Sequence, residues 1–106
     1  MKIKTANLTG AALDWAVAKC EKEEYIAESG VNGIGIEYEA TRYSTDWAQG
    51  GPIIERERIS IVQTITEWQA AKTNVFSYGP TPLIAAMRCY IASKLGDEVE
   101  IPEELK

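Results

Sequence analysis

The sequence predicts an α+β domain in which three helices pack on a small antiparallel sheet of three or four strands. Three features point there. Two segments, Leu8 to Cys20 and Thr81 to Gly96, open on helix-start signals and continue with a helical repeat of apolar residues. Between them, Ile59 to Thr66 is β-branched at every position except Ser60 and Gln63. With 106 residues, 45% of them hydrophobic, the chain can bury one core and no more. A single domain over 1–106 is therefore expected, closed by an acidic tail over 97–106.

The first helix is set by Leu8, Thr9 and Leu13. Thr9 reads as its N-cap, with Leu8 and Leu13 as a hydrophobic staple across it. Leu13, Ala16, Val17 and Cys20 recur at i, i+3, i+4 and i+7, the inward stripe of an amphipathic helix. Asp14, Lys19 and Glu21 fall off that stripe, and Trp15 lies at its margin. Further on, Ile34, Ile36 and Tyr38 alternate with Gly35, Glu37 and Glu39, the pattern of a half-buried strand. Asn32-Gly33 signals a turn, which lets Tyr25–Ala27 pair back as a short edge strand.

Ser44 reads as the N-cap of the second helix, with Asp46 against the positive end of its dipole. A bent helix from about Thr45 to Glu57 is expected, because Pro52 lacks a backbone donor. Trp47, Gly50, Gly51, Ile54 and Arg58 share one face, where the two glycines admit a neighbouring backbone. Ile59–Thr66 and Glu67–Lys72 form an antiparallel hairpin, and Asn74–Gly79 reads as a loop. Thr81 caps the last helix, Pro82 opens it and Gly96 ends it. Ile84, Met87, Ile91 and Leu95 form its stripe, widened by Leu83 and Tyr90. In the tail, Val99, Ile101 and Leu105 are the available anchors.

Composition narrows the function. Eleven basic residues against sixteen acidic ones leave a net charge of −5, with the four arginines scattered, so no basic face for nucleic acid is expected. The acidic residues gather in Glu21–Glu28 and Asp97–Glu104, beside helix ends, which is simpler as solvated surface than as a mimic of DNA. No run approaches the ~20 apolar residues of a membrane span, and no leader-like stretch follows Met1. A cytoplasmic protein with Cys20 and Cys89 as buried free thiols is expected. The absence of histidine removes the commonest metal ligand and general base, so neither a metal nor a cofactor is expected. Three Trp and five Tyr are a generous supply for so small a core; an exposed aromatic patch would mark an interface, and a homodimer is expected.

The sharpest candidate site is the pair of helix starts, Ser44-Thr45-Asp46 and Gly79-Pro80-Thr81-Pro82. Each offers unpaired amides at a positive dipole end, where an anion binds. Hydroxyls of Ser44, Thr45 and Thr81, with Tyr43, Trp47 and Arg88 nearby, would hold a phosphate and stack a base. Against this, Ser44 and Thr81 serve equally as plain caps, and Asp46 would repel an anion. Gly50-Gly51-Pro52 lacks the spacing and lysine of a phosphate loop. Asp14, Asp46, Glu55 and Glu57 could supply paired carboxylates, but Glu55 and Glu57 stand two apart on a helix and do not face each other.

Three segments, Leu8 to Ala18, Tyr43 to Glu57 and Gly79 to Tyr90, together resemble the NinX family of phage proteins. They cover over a third of the chain. The order of elements is also similar to small phage domains built as an α-β-α sandwich. The resemblance implies a phage or prophage protein with no catalytic residues to carry over. The leading expectation is a non-enzymatic accessory protein that binds a host or phage component. The alternatives are a counter-defence protein that sequesters a nucleotide at the helix starts, and an enzyme working with carboxylates alone.

Overall fold

A computed structural model describes residues 1–105. The last helix, α3 (Pro82–Leu95), is its centre. Thr81 caps it as the sequence predicts, accepting a hydrogen bond from the Ile84 amide at 3.1 Å, and Gly96 ends it at φ +87°. Leu83, Ala85, Ala86, Met87, Cys89, Tyr90 and Ile91 are all buried, so the helix is apolar nearly all round rather than along one stripe. Ile84 is only half-buried and Leu95 exposed, against expectation. The all-round burial of the rest follows from position: α3 packs against a three-stranded sheet and also against the other two helices.

That sheet is formed by β4 (Ser60–Gln63), β5 (Trp68–Lys72) and β6 (Val75–Gly79), in that order and antiparallel throughout. The hairpin of β4 and β5 matches the sequence reading, but β6 is a strand where a loop was expected. Ile61, Ala70 and Ser77 pair in one row toward the core. Val62, Gln69 and Tyr78 form the next row and Ser60, Ala71 and Phe76 another, both on the outer face. In β6 the usual polarity is inverted: Ser77 and Gly79 are buried while Phe76 and Tyr78 are exposed. Gly79 explains why. A Cβ there would lie 2.9 Å from the Ala85 amide nitrogen, so the strand approaches α3 closely enough to exclude a side chain.

The first helix, α1 (Gly10–Glu21), starts after Thr9, whose side chain makes no capping bond. Leu8, Leu13, Ala16 and Val17 are buried as expected, Cys20 half-buried and Trp15 at the margin. Asp14, read as off the stripe, is instead 7% exposed. The second helix, α2 (Trp47–Glu57), runs unbroken through Pro52 and begins two residues later than expected. Its N-cap is Asp46 rather than Ser44: the Ala48 amide donates to Asp46 Oδ1 at 2.9 Å. Arg58 is no part of the helical face but the left-handed residue that ends it, at φ +56°. Of the two glycines only Gly50 is in tight contact, its missing Cβ lying 2.4 Å from the Tyr43 carbonyl oxygen; Ile53, not Ile54, is the fully buried residue.

Two short ribbons complete the fold. The expected tail contains β7 (Glu98–Glu100), which pairs with β1 (Lys2–Lys4). Val99 and Ile101 are buried, the anchors the sequence offered. The other ribbon pairs β2 (Gly30–Val31) with β3 (Glu37–Tyr38), so Tyr25–Ala27 is not the edge strand. Its turn is built on Asn32, whose Oδ1 accepts hydrogen bonds from the Ile34 and Ile36 amides at 3.0 Å each. Ile34, Ile36 and Tyr38, expected to be half-buried, are exposed.

Candidate functional site

The two helix starts do converge. Ser44, Thr45 and Trp47 meet Thr81, Leu83 and Ile84 around a cleft of about 210 Å³. Close packing at Gly50, where Leu83 Cδ1 lies 2.7 Å from the position a Cβ would take, brings α2 to the start of α3. Four of the six residues singled out for this site are therefore together. Trp47 is half exposed at its rim. Tyr43 and Arg88 are not among its lining residues.

Arg88 is occupied elsewhere. Its Nε donates to the Leu8 carbonyl and its Nη1 to the Tyr78 carbonyl, both at 2.8 Å. It latches the approach to α1 and the end of β6 onto α3, and burial lowers its pKa. Tyr43 contributes its carbonyl to the contact with Gly50, and its ring packs on the core.

The electrostatics of the cleft do not favour an anion. Asp46 already satisfies one amide at the start of α2, and its carboxylate stands at the positive end of the dipole. Thr81 satisfies another at the start of α3, and Pro82 has none to offer. No cationic side chain lines the cleft among the described residues.

Ser44 is 2% exposed, and its amide donates to Asp14 Oδ1 at 2.8 Å. Burial raises the Asp14 pKa, while the Ser44 hydroxyl and amide nearby hold it back. Only the amide contact has hydrogen-bond geometry; the Ser44 Oγ has no such partner. Asp14 thus ties α1 to the segment leading into α2, a role invisible in sequence because the two residues lie thirty positions apart.

The carboxylates considered for acid–base work are dispersed. Asp14 and Asp46 serve the backbone, and Glu55 is exposed. Glu57 accepts from Lys72 Nζ and from Arg56 Nε, the latter at 2.8 Å, which pushes its pKa down to about 2. Arg56 also grips Glu21 with two bonds, at 3.0 and 2.7 Å, and so holds that carboxyl below its usual range. The Tyr90 hydroxyl donates to Glu21, and burial raises its own pKa. Both glutamates are fixed as anions at neutral pH, which suits a clamp between α1, α2 and α3 and not a general acid.

Large apolar side chains are open to solvent in two places that sequence periodicity did not mark. One is the outer sheet face, with Val62, Phe76 and Tyr78 and with Ile65 fully exposed at the β4–β5 turn. The other is the β2–β3 ribbon, with Val31, Ile34, Ile36 and Tyr38. No helix among the described residues is long and apolar enough to cross a membrane.

These features define a small α+β domain built round one buried helix, with open apolar surfaces and a shallow cleft. The chain belongs to the NinX phage family: the family model described as "Bacteriophage P22, NinX" matches residues 4–94, from β1 almost to the end of α3. A comparison with curated proteins finds no match.

Proposed function

We propose that the chain is a non-enzymatic accessory protein of a phage or prophage, acting in the host cytoplasm by binding a host or phage protein. The observation that supports this is the gathering of exposed large apolar side chains into two patches on a domain whose core is already filled. A second reading, sequestration of a nucleotide, is favoured by the convergence of Ser44, Thr45, Trp47 and Thr81 on one cleft. The Asp46 carboxylate and the lack of a lining cation weigh against it. An enzyme working through carboxylates has less support, since Glu21 and Glu57 are held ionised by Arg56 and Lys72.

A thermal-shift panel of mono-, di- and cyclic nucleotides, run beside affinity capture from infected host lysate, separates the readings. Protein binding predicts a flat panel and a stoichiometric partner. A nucleotide at 100 times its Kd would add about 2.7 kcal/mol, a rise of several degrees, and would overturn the proposal in favour of the second reading.

A further inference from the structure

We infer that the β2–β3 arm is the docking element for the foreign partner, and that the partner presents a basic surface with an apolar centre. The inference rests on the protein-binding reading above. Residues 27–40, the arm and its base, hold Glu28, Glu37 and Glu39 and no basic residue, a net charge of −3. None of these three glutamates forms an ion pair among the described residues. At its end stand Ile34, 82% exposed, and Ile36, 57% exposed.

Solvated surface explains the carboxylates but not the isoleucines. The Tyr38 ring lies across Gly30, its partner in register, where a Cβ would fall 2.8 Å from its hydroxyl, and Ile36, just before the strand, is open to solvent. Glu37 and Glu39, on either side of Tyr38 in sequence, are exposed as well. A partner must therefore cover apolar side chains while meeting a surrounding field of negative charge. Lysine and arginine around an apolar hollow supply both requirements. Nucleic acid and anionic membrane are repelled by the same field.

The arm is held in shape before it binds. Asn32 fixes the turn, and the Ala40 amide donates to Ser29 Oγ at 2.8 Å. At the base, the Ile26 amide donates to Thr41 Oγ1 and the Thr41 amide to the Ile26 carbonyl, each at 2.8 Å. Little ordering cost remains to be met on association.

The test is quantitative capture from infected host lysate with the wild-type chain and three double variants as bait. These are Ile34→Ser with Ile36→Ser, Glu37→Gln with Glu39→Gln, and Phe76→Ser with Tyr78→Ser on the sheet face; all six residues are exposed, and circular dichroism checks that each variant folds. The expected result is one basic protein, captured by wild type and by the sheet-face variant. Both arm variants should reduce capture ~10-fold or more, and raising salt from about 0.1 to about 0.5 M should release the partner. Undiminished capture by the folded arm variants overturns the inference and leaves protein binding standing. Capture of an acidic or neutral protein through the arm overturns the stated partner chemistry. No capture by any bait removes both readings.

Discussion

Replacing Gly50 and Gly51 separately by alanine tests how α2 is seated. Both lie inside the helix, where alanine is favoured over glycine by about 1 kcal/mol. At Gly51 nothing opposes that gain, since the nearest atom, Trp47 Cε3, lies 4.0 Å from the new Cβ. At Gly50 the Cβ would stand 2.4 Å from the Tyr43 carbonyl oxygen and 2.7 Å from Leu83 Cδ1. Ordinary carbon–oxygen contact begins near ~3.3 Å, so the backbone must retreat by roughly 0.9 Å. Leu83 can rotate away; a carbonyl in the chain leading into α2 cannot. Overpacking of this kind costs about 3 kcal/mol, the upper part of its usual range, and the helix gain offsets about 1 of it. Gly50→Ala should therefore lose about 2 kcal/mol, a fall in Tm of roughly 8–12 °C, while Gly51→Ala rises by a few degrees. Urea and thermal unfolding followed by circular dichroism read both. A Gly50→Ala protein as stable as wild type would refute the close approach of α2 to Tyr43.

Thr81→Ala should cost about 1 kcal/mol in the same assay, because its side chain holds the Ile84 amide, whereas Thr9→Ala should cost only a few tenths because Thr9 makes no capping bond. Asp14→Ala leaves the buried Ser44 amide unsatisfied and should cost about 1–3 kcal/mol, while Asp14→Asn keeps the acceptor and should come close to wild type. On acidification, Glu57 contributes stability that is complete above its ordinary pKa of 4.5 and lost as pH falls toward about 2; Glu57→Gln should flatten that part of the pH–stability curve. Asp14, with its pKa raised, acts in the opposite sense, its stabilising effect present below 3.8 and lost as pH rises, so Asp14→Asn should steepen the acid limb. Light scattering at high micromolar concentration should show a dimer that Phe76→Ser with Tyr78→Ser converts to monomer; a monomeric wild type would end that expectation.

Local chemistry was legible in sequence and distant pairing was not. The Thr81-Pro82 start, the Gly96 stop, the Leu13–Val17 stripe and the β4–β5 hairpin depend on neighbours within a few residues, and the structure has all of them. Sequence does not separate Ser44 from Asp46 as the N-cap of α2, since both are good caps; in the structure Asp46 takes the Ala48 amide and Ser44 is buried with its own amide on Asp14 of α1. β6 escaped detection because its inward positions are Ser77 and Gly79, the reverse of the polarity that marks a strand. β1 and β7 pair across almost the whole chain through three residues each, too few to show a period. For the site, the convergence of Ser44, Thr45, Trp47 and Thr81 followed from where two helices begin, but the diversion of Arg88 depended on the carbonyls of Leu8 and Tyr78.

The inverted strand also bears on function. Because α3 comes so near β6 that a glycine and a serine line their contact, the aromatic residues of that strand have nowhere to go but outward. The outer-face rows they join hold Ser60, Val62, Gln69, Ala71, Phe76 and Tyr78, none of them charged, and the Gln69 Nε2 donates to the Tyr78 hydroxyl at 2.9 Å within them. A neutral face on an acidic chain can meet its own copy without opposing like charges. The β2–β3 arm is less suited to that, since a second copy would bring another −3 against the first. Close packing inside thus turns the β6 aromatics onto an uncharged stretch of sheet, the surface on which the expected dimer would form, while the proposed docking arm carries its own negative charge.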